Sequence, residues 1–163
     1  MNADPQIQTS VVEGPVAVAA LDWPGPCGAE AMFVGRTREE DHPEFGPLKE
    51  LDYEVYGPMA EALLRQAAED AAAAHGALAV RVVHSCGVVA PGEASVVIQV
   101  ATPHRAEAFV ACRELIDRIK HELPVWKTEI WARGRTRVQG CCAHHPDDRK
   151  VVANDEIDEG VTP

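Results

Sequence analysis

Two lysines bracket a proline and a tryptophan in the stretch Lys120-His-Glu-Leu-Pro-Val-Trp-Lys127. A lysine beside apolar groups either stretches its stem to reach water or sits partly desolvated. In the second case its pKa falls and it can serve as proton donor, base or nucleophile. Upstream, His104-Arg105 set an imidazole beside a guanidinium, and Arg36 and Arg38 supply two further cations. Groups of this kind suit acid–base chemistry on a small anion. Thiolate chemistry is less well provided for, because neither Cys86 nor Cys112 has an adjacent His or Lys to activate it. Cys141-Cys142-Ala-His144-His145 contains four metal-binding side chains but lacks the C-x₂-C spacing that lets two thiolates chelate, and no metal site is assigned.

The elements that must position these groups follow from periodicity. With Phe109 at zero and about 100° per residue, Cys112, Leu115, Ile116, Ile119 and Leu123 fall in one apolar arc beside it, while Glu107, Glu114, Arg118 and His121 fall opposite. Thr102 is the expected N-cap, Pro103 the first helical residue and Pro124 the stop. Lys120 then lies at the margin of the buried stripe. His104 and Arg105 lie in the opening turn, where free N–H groups and the helix dipole favour an anion; an exposed helix start with solvated basic side chains is the plainer alternative.

Elsewhere, Val16–Leu21 is a short apolar run, and Ala29–Gly35 reads as a buried strand that delivers Arg36 and Arg38 to its end. The polar segment between Thr37 and Pro47 reads as a loop expected to move on substrate binding. Leu51, Tyr53 and Val55 alternate with polar neighbours as in a half-exposed strand. Gly57-Pro58 opens an alanine-rich helix that stops at His75-Gly76. A strand over Leu78–His84 and a separate hairpin about Pro91-Gly92 complete a ββαβββαβ order. The fold class is α+β, an antiparallel or mixed sheet with two main helices. Three parts are expected: a flexible arm over 1–15, with an edge strand at Val11-Val12 as the alternative, one domain over 16–139, and a disordered acidic tail over 140–163.

The 163 residues, 46% hydrophobic, suit one domain with a real core. A net charge of −11 argues against nucleic acid as a partner. Residues 101–140 nevertheless hold eight Lys or Arg against five acids, a concentration of positive charge suited to a small anionic ligand. No run reaches membrane-spanning length, and the N-terminus lacks the pattern of a signal peptide, so a cytoplasmic location with reduced cysteines is expected.

Several separated segments carry a family resemblance. Phe33-Val-Gly-Arg-Thr-Arg38, Leu51-Asp-Tyr-Glu-Val-Tyr-Gly-Pro-Met-Ala-Glu61, Pro103-His-Arg-Ala-Glu-Ala-Phe109, Ile116-Asp-Arg-Ile-Lys120 and Pro124-Val-Trp-Lys-Thr-Glu129 resemble, in order and spacing, the large catalytic subunit of molybdopterin synthase, the MoaE family. The resemblance implies an α/β hammerhead-like fold and no cofactor of its own. It also implies sulfur transfer from the thiocarboxylated C-terminus of a small ubiquitin-like, MoaD-like partner to cyclic pyranopterin monophosphate. In that setting Lys120 is the central catalytic lysine, Lys127 holds the donor's carboxyl end, and Arg38, His104 and Arg105 bind substrate. A homodimer flanked by two donor subunits is the implied assembly. One departure stands out: the family commonly has His-Arg where this chain has His84-Ser85, and loss of a guanidinium near the site would weaken substrate binding unless Arg133, Arg135 or Arg137 replaces it. A non-catalytic paralogue that only holds the sulfur carrier is the competing reading.

Overall fold

The computed structural model describes residues 4–20, 22–138 and 149–151. In chain order the elements are β1 (Gln6–Glu13), β2 (Ala29–Arg36), β3 (Asp41–His42), β4 (Gly46–Val55), α1 (Gly57–His75), β5 (Ala79–Val89), β6 (Ala94–Thr102), α2 (Arg105–Glu122), β7 (Val125–Trp131), β8 (Gly134–Val138) and β9 (Arg149–Val151). The sheet runs β2-β6-β5-β4-β7-β8-β9, with β1 added parallel to β5 and β3 paired to β4. All other pairings are antiparallel, so the α+β expectation of two helices on a mostly antiparallel sheet holds.

Strand β5 is the spine. It pairs with β6 along one edge, while its other edge takes β1 as far as Cys86 and then β4 from Gly87. Gly87 has φ +73°, a left-handed conformation that a side chain would resist at this handover. Val80 and Val82 face the helices, and the core they join includes Leu64, Ala68, Ile98, Leu115 and Ile119. Helix α1 begins with a proline in its first turn and ends on Gly76 at φ 62°, whose N–H donates to the Ala72 carbonyl. Its alanines allow close approach to the sheet around Leu64, which is fully buried. Truncating Leu64 to alanine is expected to cost about 2–5 kcal/mol, read as a lower denaturant midpoint at unchanged slope.

Four expectations need correction. Residues 6–13, expected in a loose arm, form β1, because Ile7 and Val11 bury partly against the core while the backbone pairs with β5. The separate strand and hairpin arm read from Leu78 to Val89 are one continuous strand, with the turn at Pro91-Gly92 retained. The loop after Thr37 is closed by the short β3–β4 hairpin, where His42 Nδ1 accepts the Glu44 and Phe45 amides at 3.2 and 3.3 Å and the imidazole stacks on Phe45. Within the expected acidic tail, Arg149–Val151 form β9 against β8, and the rest of that segment lies outside the described residues, Cys141-Cys142 and His144-His145 included.

Candidate functional site

Helix α2 starts two residues later than expected. His104 occupies the N-cap in an extended conformation, and Thr102 ends β6 with its hydroxyl donating to the His104 carbonyl at 2.6 Å. The buried stripe is Ala108, Ala111, Cys112, Leu115, Ile116 and Ile119, whereas Phe109, placed in the stripe by the helical wheel, is 66% exposed. The helix stops as expected before Pro124, and β7 continues from Val125 with Lys127 paired to Tyr53 of β4.

Where the C-terminal end of α2 meets β2, β4 and β7, the packing leaves a cavity of about 520 Å³. Lys120, Lys127 and Arg38 all line it, together with Arg36, Tyr53 and His84. The side chain of Lys127 is 27% exposed and Lys120 is half-buried, so neither lies fully in solvent. Arg38, by contrast, sits at the mouth with 82% of its side chain exposed, donating from Nη2 to Glu40 Oε1 at 2.8 Å. Arg36 is anchored to the Gly92 carbonyl at 2.9 Å. His104 and Arg105 do not line the cavity; both are exposed at the opposite end of α2.

Two cavity-lining positions were not singled out as candidates by the sequence. Glu129 is a buried carboxylate on the cavity wall, at 4% exposure. Its Oε2 accepts the Thr136 hydroxyl at 2.8 Å, and the Thr136 oxygen in turn accepts the Trp131 indole N–H at 2.8 Å. Glu129 Oε1 lies 3.6 Å from Lys127 Nζ, so a fixed carboxylate braces that ammonium. The second is His84. It is held by the Ser85 carbonyl at 2.7 Å, but it also reaches the cavity, and burial pushes its pKa below the ordinary histidine value. Two of the described thiols are disfavoured as nucleophiles: burial pushes Cys112 up to about 11, and burial together with Glu30 raises Cys27.

A protein-family model described as MoaE protein matches residues 9–122. The chain belongs to the MoaE family. A molybdopterin synthase catalytic subunit from Oryza sativa subsp. indica is 43% identical over 107 residues, covering 66% of this chain and 54% of the relative. The Bacillus subtilis subunit of the same name is 38% identical over 107 residues, covering 66% and 67%. This chain therefore spans about half the length of the rice relative that it matches. Among solved structures, the crystal structure of molybdopterin synthase from Staphylococcus aureus superposes with TM-score 0.69 at 30% identity, over 85% of this chain and 98% of that one. A complex of subunits 1 and 2 of molybdopterin-converting factor from Helicobacter pylori contains a chain of the same fold, with TM-score 0.63 at 20% identity over 78% and 87%.

The departure from the MoaE family's usual His-Arg pair falls outside the lining of this cavity. Ser85 points away from the cavity: its hydroxyl donates to the Gly14 carbonyl at 2.5 Å, clasping the end of β1. Alternation along β5 puts a side chain at this position on the sheet face opposite His84. Within one protomer, a side chain at position 85 does not face the cavity. Arg133 and Arg137 are engaged elsewhere, with the Glu44 carbonyl and the Glu54 carboxylate, and neither these two nor Arg135 lines the cavity.

Proposed function

We propose that this chain is the catalytic subunit of a molybdopterin synthase. Sulfur would pass from the thiocarboxylated C-terminus of a small ubiquitin-like carrier to cyclic pyranopterin monophosphate: the sulfur bonds to the pterin carbon, and water then cleaves the acyl–sulfur bond, leaving the donor as an ordinary carboxylate. The observation that carries this reading is the convergence of Lys120, Lys127 and Arg38, from a helix, a strand and a loop, on one cavity of a MoaE-family chain. Lys120 polarises or protonates the carbon under attack. Lys127, braced by Glu129, holds the donor's terminal carboxyl and the charge that develops on it. The cavity mouth at Arg38 admits an extended tail, and the named H. pylori complex of two molybdopterin-converting factor subunits is consistent with a protein donor.

His104 and Arg105 enter through a second copy. They open α2, and Lys120 lies 15 residues further along the same helix, so the two ends are separated by ~22 Å. That is longer than the substrate. A phosphate held by His104 and Arg105 can sit at the lysine cavity only when the two come from different protomers, which makes a homodimer the working unit. The retention of His104, Arg105, Lys120 and Lys127 weighs against the scaffold reading. Mixing the purified chain with thiocarboxylated carrier and cyclic pyranopterin monophosphate is expected to give molybdopterin, read by the fluorescence of its oxidised derivative. Carrier binding without product would instead identify a scaffold.

A further inference from the structure

On β5, Val80, Val82 and His84 share the helix-facing side of the sheet; the first two are core residues and the third emerges into the cavity. His84 is only 4% exposed, and the edge of its ring contact with Tyr53 is fixed at 5.8 Å and 85°. A carbonyl can only accept, so the contact between Nδ1 and the Ser85 carbonyl requires the proton on Nδ1. The uncharged ring, favoured by burial, then carries a bare lone pair on Nε2. No described residue bonds that nitrogen. Among the described residues, the partnerless side-chain atoms sealed from solvent are Trp23 Nε1 and Thr37 Oγ1, so Nε2 is open to the cavity.

Among the charged and imidazole groups of the lining, this lone pair is an acceptor not already taken by a neighbour: Arg36, Arg38, Lys120 and Lys127 can only donate. The hydroxyls of Tyr53, Thr37 and Ser95 also line the cavity; Thr37 Oγ1 is sealed from solvent and Ser95 donates to the Gly35 carbonyl. The carboxylates of Glu40 and Glu129 are already engaged, by Arg38 and by Thr136 with Lys127. A pterin brings phosphate and carbonyl oxygens for the cations, but its ring edge also carries N–H groups that lose water on entry and require an acceptor. We propose that His84 Nε2 accepts a hydrogen bond from an N–H of the pterin heterocycle and so orients the ring against the lysines. The proposal rests on the sulfur-transfer reading for the identity of the ligand and adds a specificity-determining residue to it.

The test uses the full chain, titrated calorimetrically with cyclic pyranopterin monophosphate in the absence of carrier. His84→Phe keeps the ring's bulk and removes the acceptor; it is expected to weaken pterin binding roughly 10-fold. His84→Gln restores a neutral acceptor and is expected to recover most of the affinity. In turnover, the KM for pterin should rise in the Phe variant while the KM for carrier stays constant. Unchanged pterin affinity in His84→Phe, an equal loss in both variants, or a rise confined to the carrier's KM would overturn the proposal. Should the Phe variant fail to fold, imidazole ¹⁵N spectra of the wild-type chain decide: Nε2 must be unprotonated and must shift when pterin is added, and a static resonance rejects the contact. A chain that binds pterin through His84 yet makes no product with thiocarboxylated carrier would sink the sulfur-transfer reading alone. Product formed with no response at His84 would sink this inference alone.

Discussion

Replacing Lys120 with alanine is expected to lower product formation by at least about 10²–10⁴-fold, the range associated with loss of a positioned proton-transfer group. Ile116 and Ile119, in the turn of α2 that leads to it, line the same cavity, so the ammonium works against low-dielectric walls where its charge counts for more than in water. Stability should hardly change. Lys120 is only half-buried, and the apolar side chains that anchor this turn of α2 remain. Lys120→Arg separates two roles: a guanidinium preserves the charge but does not release a proton. If arginine restores near-normal turnover, Lys120 acts only as a fixed positive charge; if arginine is as inactive as alanine while the melting temperature is unchanged, it handles a proton or forms a bond.

Two inactive variants are expected to rescue each other. In the proposed dimer each site takes its lysines from one protomer and His104 with Arg105 from the other. Lys120→Ala and a double His104→Ala, Arg105→Ala variant should each be inactive as homodimers. Unfolded together and refolded, half the dimers are mixed, and each mixed dimer has one site with every group intact, so activity should return to about a quarter of wild type. A mixture that remains as inactive as its components would show that the His104-Arg105 pair serves its own protomer or serves nothing. The exposed Phe109 and Val110, one turn from that pair, offer apolar surface for such a contact.

Much of the site was legible because local chemistry dictated it. The three-and-four spacing of Leu115, Ile116 and Ile119 placed Lys120 at the rim of a buried stripe, and Pro124 marked where the helix must end. The wheel failed at Phe109 because periodicity gives the direction of a stripe and not its width. Thr102 was misread as a cap because a threonine before a proline looks the same at the end of a strand as at the start of a helix. Strand β1 lacks the clean alternation of a half-buried strand: its parallel pairing to β5 buries it incompletely. Glu129 and His84 were hidden for a different reason. The hydroxyl that fixes Glu129 lies across the β7–β8 hairpin, and the opening beside His84 exists only where β2, α2 and β7 meet. Neither fact is local in sequence.

Strand β5 also acts as a ruler. Its handover from β1 to β4 sits directly after His84, Ser85 and Cys86, so the tally of residues before Gly87 decides which side chain faces the chemistry. One residue inserted upstream would invert that alternation, turning the imidazole toward Gly14 and the serine into the hollow. Lengthening the surrounding turns would leave this alternation intact, whereas a change in the count along this segment would not.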